Sequence, residues 1–173
     1  MDAELTSVFL GVSTRRLAQY LDRIGECVGR LSEEQVWARA SESENAPGNL
    51  LLHLAGNVRQ WILSGVGGKP DVRVRDREFS ARGEIPKEDL IERLKSAVEQ
   101  ANQVINGLTP ERLRETVTIQ GYQITVLEAV FHVVEHFAQH AGQIIFATKM
   151  LTHEDLGFYR HLGKSSSHTE KTP

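Results

Sequence analysis

The sequence predicts an all-α protein, a four-helix bundle with one long connection inside it. Three observations carry this. Four stretches, about residues 5–31, 49–64, 87–106 and 125–151, place their apolar residues at helical spacing with charges on the opposite face. Helix-start signals stand at or near the heads of several of them. Only residues 115–124 have strand-like character, read as a brief extended connection or a hairpin around Gly121.

Each element follows from its residues. The first stripe runs Leu5, Val8, Phe9, Val12, Leu17, Tyr20, Leu21, Ile24, Cys27, Val28 and Leu31. Ser32 then heads S-E-E-Q, a capping box in which Gln35 reaches back to the Ser32 amide, so a short helix through Val36 and Trp37 is expected. Ser41 to Gly48 is polar and reads as a loop. In the second helix Leu50, Leu54, Val58 and Trp61 share a face, and His53, Asn57 and Gln60 form a polar strip beside it. Gly65 to Pro86 is the long connection, too rich in glycine, proline and charge for a helix in its first half. Its Arg73, Arg75, Asp76, Arg77 and Glu78 read first as a solvated run and second as the mouth of a site for an anion. Pro86 precedes the third helix, with Ile91, Leu94, Val98, Ala101, Val104 and Ile105 on its stripe and Gly107 at its end. Thr109-Pro110 opens a further helical turn. Thr125 and Glu128 form a second capping box at the head of the fourth helix. HEDLGFYRHL is expected as a short terminal helix, and residues 163–173 as a disordered polar tail, which makes 1–162 a single domain.

Composition narrows the function. A chain of 173 residues with 40% hydrophobic and 25% charged residues suits an ordinary globular domain with a real core. A net charge of −3 gives no electrostatic footprint for nucleic acid or an anionic membrane. No apolar run is long enough to span a bilayer and no signal peptide is evident, so the expected location is cytoplasmic. The single cysteine, Cys27, excludes an internal disulfide and falls on an apolar stripe, where it reads as packing.

Chemistry concentrates in FHVVEHFAQHAGQII, residues 131–145, where His132, His136 and His140 recur every fourth residue. Two imidazoles four apart on a helix can grip one metal ion. His132 and His140 are about 12 Å apart along the axis at about 1.5 Å per residue, too far to share one. On the helical wheel His140 and His136 border the apolar face, while His132 and Glu135 turn toward the surface. A third ligand must then come from elsewhere, and His53 borders the core of a second helix. The bland alternative is that these are boundary histidines with no metal. His153, His161 and His168 fall in poorly constrained segments and are not counted as ligands.

These residues together resemble the DinB/YfiT-like superfamily. The resemblance rests on His53 to Trp61 in the second helix, on H-x3-H-x3-H-x-G-Q-I (His132 to Ile144) in the fourth, on the order of four long helices over about residues 1–162, and on the closing HEDLGFY. It implies a four-helix bundle holding a divalent metal, zinc or nickel first and iron as a further option, on His53, His136 and His140. Members commonly carry an arginine before the Gly-Gln of the fourth helix; this chain has Ala141. The superfamily includes thiol-dependent S-transferases and isomerases, and members designated metal-dependent hydrolases. It therefore implies an enzyme acting on a small molecule, with a low-molecular-weight thiol as a partner and a homodimer as an option. No residue is identified as catalytic; His132 and Glu135 are the candidates for carrying a proton, and Asn57 and Gln60 for orienting a ligand. The alternatives are a non-catalytic protein stabilised by its metal or serving a stress response, and a metal-free bundle that dimerises.

Overall fold

The computed structural model describes residues 2–162. Among them are seven α-helices and one two-stranded hairpin. The four long helices are α1 (Ala3–Arg30), α3 (Pro47–Val58, continued as a π-helix through Arg59–Val66), α5 (Lys87–Asn106) and α7 (Val126–Thr152). The short ones are α2 (Glu33–Val36), α4 (Arg75–Ser80) and α6 (Pro110–Arg114). Strands β1 (Thr116–Ile119) and β2 (Tyr122–Thr125) pair antiparallel, with Thr116 opposite Thr125 and Ile119 opposite Tyr122.

The core follows most of the expected stripes, but Leu5, Val8 and Val12 of the first one are exposed, and Leu51, Ile62 and Leu90, which were on no expected stripe, are buried. Leu17, Ile24, Leu51, Leu54, Ile62, Leu90, Leu94, Ile105, Phe137 and Ile144 are fully buried. Cys27 is buried among them and free. Helix α1 packs against α5 and α7, and α3 packs against the same two. The chain therefore does not pass from neighbour to neighbour: α1 is followed by the long helix diagonal to it. Both capping boxes form. Ser32 and Gln35 exchange their bonds at the start of α2, and Thr125 and Glu128 at the start of α7. The hairpin turn has Gln120 at φ 53° and Gly121 at φ 83°, the pair of positive angles that a two-residue turn requires.

Three details depart from expectation, and a fourth, helix α4, fills the half of the connection that the sequence left open. Helix α3 starts at Pro47, two residues early, because proline's fixed φ suits the first helical turn. It runs on to Val66 by widening into a π-helix, a geometry uncommon in proteins and frequent at functional sites. The connection after it contains α4, which folds back onto α3. The closing segment forms no α-helix: His153 takes the left-handed conformation that terminates α7, Gly157 has φ 72°, and only a 3-10 turn at Arg160–Leu162 follows. Residues 163–173, expected as a disordered tail, and His168 with them, lie outside the described residues. No helix is long and apolar enough to cross a membrane among those described.

Candidate metal centre

Helices α3 and α7 pack against each other, and that contact brings His53 to His136 and His140. One ring nitrogen from each lies within 4.8 Å of the others, and this is the one such group of three among the described residues. The Nε2 atoms of His53 and His136 are 2.9 Å apart. Two ring nitrogens at that distance need a proton between them or a cation in its place. Zinc–imidazole bonds near 2.0–2.1 Å would set tetrahedral ligand nitrogens roughly 3.3 Å apart, inside the range these three span.

The outer nitrogens of two rings are engaged in the way a ligand set requires. Nδ1 of His53 lies 3.0 Å from Oε2 of Glu78, and Nδ1 of His140 lies 2.7 Å from Oε1 of Gln143. Each of these oxygens accepts, so Nδ1 is assigned the proton and Nε2 presents its lone pair. Arg73 also approaches Nδ1 of His53 at 3.1 Å, but its Nη2 donates to Glu78 at 2.8 Å. The donor set is neutral imidazole, which fits a divalent ion.

His53 is held by a network that reaches across the sequence. Glu78, on α4, is 8% exposed. Arg73 donates to both of its oxygens, at 2.7 and 2.8 Å, and donates a third bond to Gln60 Oε1 at 2.8 Å. Gln60 donates to Asp71 at 2.7 Å. Asn49, buried at the start of α3, accepts from the Ala46 amide and donates to the backbone carbonyls of Glu78 and Ala81, which fastens the C-terminal part of α4 to α3. Gly56 makes room for the pair. A Cβ there would fall 2.0 Å from Glu78 Oε1 and 3.0 Å from Arg73 Nε.

Burial pushes the Glu78 carboxyl up, but the bonds from Arg73 and His53 outweigh it and hold the group below the usual carboxylate range. Burial lowers His136 to about 3, helped by repulsion from His140 and His53. Burial also lowers His132 and His140. These three imidazoles are therefore neutral near pH 7.

His132 does not turn to solvent as the helical wheel implies. It is half-buried, with its ring 3.8 Å from Trp61 between centroids, and it lines a cavity of about 410 Å³ with His53, His136, Asn57, Trp61 and Arg73. Glu135 is exposed. The charged run is not simply solvated either. Arg73 and Glu78 are internal ion-pair partners beside His53, while Arg75 reaches the cavity and Asp76 and Arg77 stay exposed. Sequence reasoning missed the roles of Asn49, Gly56 and the Arg73–Glu78 pair. The usable signal was the paired opposite charges five residues apart in a connection long enough to return to His53. Ala141, which precedes the Gly-Gln of α7, is buried in the core, 1% exposed.

Fold and centre together define a DinB-like helical bundle with a three-histidine cluster that can take a metal ion. The chain belongs to the family described as "Protein of unknown function (DUF1572)", which matches residues 4–160. No protein of curated function matches the sequence. Solved structures share the fold at low identity. A conserved protein from Enterococcus faecalis aligns with TM-score 0.72 and 11% identity over 83% of this chain and 97% of its own. A DinB-like protein from Bacillus subtilis aligns with TM-score 0.64 and 17% identity over 85% and 96%. A variant of the mycothiol-dependent maleylpyruvate isomerase aligns with TM-score 0.60 and 12% identity over 83% of this chain and 61% of that one.

Proposed function

We propose that this chain is a divalent-metal-dependent enzyme acting on a small molecule, as a thiol S-transferase or a hydrolase, with His53, His136 and His140 as metal ligands. The observation that supports this best is the convergence of three imidazoles from two helices beside a cavity large enough for a small molecule. Imidazole ligands suit zinc, nickel or iron. When bound, such an ion polarises a substrate oxygen or holds a water or thiol in its nucleophilic, deprotonated form. The rest falls to the chain. Glu78 fixes the His53 tautomer, with Arg73 holding the carboxylate in place, and Gln143 does the same for His140. His132, neutral and on the cavity wall, is the side chain placed to take up or release a proton at a ring nitrogen. The thiol branch draws support from the shared fold of an isomerase named for its dependence on a thiol.

Elemental analysis of the purified protein tests the ligand set. One equivalent of metal is expected, lost in His53→Ala, His136→Ala and His140→Ala and kept in His132→Ala. Loss in His132→Ala with retention in His140→Ala would sink the assignment. Metal-dependent consumption of a low-molecular-weight thiol in the presence of an electrophile then separates transfer from hydrolysis.

A further inference from the structure

The outer side of α1 breaks the pattern of an amphipathic helix. Its buried residues Leu10, Leu17, Ile24 and Val28 share one face. At about 100° per residue, Leu5, Val8 and Val12 lie about 150° away from that face. They are 54%, 57% and 42% exposed. A helix at the surface of a domain normally turns polar and charged residues to water there. The second half of α1 does so, with Gln19, Asp22 and Glu26 continuing the same outer face. The apolar surface is therefore confined to residues 5–12, at the spacing with which one helix packs on another.

Charge says what covers it. Glu4 and Arg15 flank the apolar stripe, one at each end and both on the same side of it. Both are exposed, and neither side chain has a hydrogen-bond or ion-pair partner among the described residues. A second α1 laid antiparallel on the first, about a twofold axis near Val8, sets Leu5 of each copy against Val12 of the other. The same operation brings Glu4 of each copy toward Arg15 of the other. The midpoints of Leu5–Val12 and of Glu4–Arg15 differ by one residue, about 1.5 Å along the helix, so one axis serves both. Such an axis returns each flank of the stripe to the same flank, which is why the two charges must lie on one side of it to meet. The face is self-complementary, as a closed dimer requires of its interface.

We propose that residues 4–15 are the interface of a homodimer in which two copies of α1 pack antiparallel about a twofold axis near Val8. Leu5, Val8 and Val12 bury one another there, and Glu4 of each copy pairs with Arg15 of the other. The metal centre lies on α3 and α7 and takes no part, so the inference stands apart from the proposed activity.

Sedimentation equilibrium of the full chain is the test. Twice the chain mass is expected at about 100 μM, where a dimer of micromolar affinity is nearly complete. Val8→Glu puts two carboxylates at the axis and should raise the dissociation constant about a hundredfold. Val8 is exposed, so the circular dichroism of that variant should match the parent. Glu4→Arg and Arg15→Glu should each weaken the dimer about tenfold, because each turns two attractions into repulsions. An equimolar mixture of those two variants should form dimers again, since every charge across the axis then meets its opposite. Phe146→Glu, at a 66% exposed residue of α7, should leave the dimer intact. A monomeric parent chain overturns the proposal. So does a dimer that survives Val8→Glu or is lost in Phe146→Glu. A mixture that stays monomeric while both variants remain folded rules out the antiparallel pairing.

Discussion

The two flanks of the histidine cluster are held in opposite ways. His53 is 5% exposed and is braced by residues far along the chain: Glu78 on α4, Arg73 in the connection, and through them Gln60 and Asp71. His136 and His140 are half-buried on α7, and the polar brace on that side is Gln143, three residues from His140. One flank is oriented by a buried ion pair that only the tertiary fold assembles; the other is oriented by the pitch of a helix. The first should therefore be costly to disturb and to report on the fold. The second should tolerate change and report on local chemistry.

Removing Glu78 is the most severe way to break the comparison. Glu78→Ala leaves the Arg73 guanidinium, in a side chain 5% exposed, without its counter-charge, and breaking such a buried pair costs about 3–5 kcal/mol. Urea unfolding should show that loss, and metal titration a fall of about 10–100-fold in affinity as His53 loses its orienting carboxylate. A stability loss below about 1 kcal/mol would mean that the pair behaves as a surface contact and that the flanks are equivalent.

Acid separates the flanks without mutation. His136 has its folded value lowered from 6.5 to about 3, and His132 and His140 are lowered in the same direction. Between about 6.5 and 3 the unfolded chain then binds protons that the folded α7 flank does not, so stability falls as pH drops through that window. Glu78 acts lower. Its carboxyl is depressed in the fold from 4.5, so its contribution is intact above that value and is lost as pH falls through the folded value. Denaturant midpoints of the metal-free protein should decline below about pH 6.5 and continue to fall below 4.5, with His136→Gln flattening only the upper part. A flat profile from pH 7 to 5 would contradict burial of neutral imidazoles on α7.

The smallest effect is expected at Gln143. Gln143→Ala should change stability by no more than about 0.5 kcal/mol, as for other exposed positions, and should weaken metal binding by about tenfold, the low end for an outer partner. A loss matching that of Glu78→Ala would reverse the ranking of the flanks.

Much of this was legible beforehand because it is periodic or local. The four helical stripes, the two capping boxes, the turn at Gly121 and the nearness of His136 and His140 to the apolar face all follow from spacing along one element. His53 was legible as a histidine at the border of a second helix, and the structure brings it to the other two. Arg73 and Glu78 were not legible as internal groups. A run of alternating charges looks solvated until a buried partner exists, and the partner, His53, is 25 residues from Glu78. His132 was misjudged because a helical wheel measures angle from the core of its own helix and knows nothing of Trp61 on the facing one. The terminal segment was misjudged because the left-handed turn at His153 overrides the helix-like composition that follows.

The amino-acid order by itself determined which segments are helical, which faces they bury and which histidines share a face, because hydrophobic periodicity and capping act within a few residues of each other. Only the tertiary structure decided that Glu78 is an internal carboxylate, that Gly56 must be bare, and that His132 lies against Trp61. Those properties arise when side chains distant in sequence lose water together, and no local pattern encodes which of them will meet.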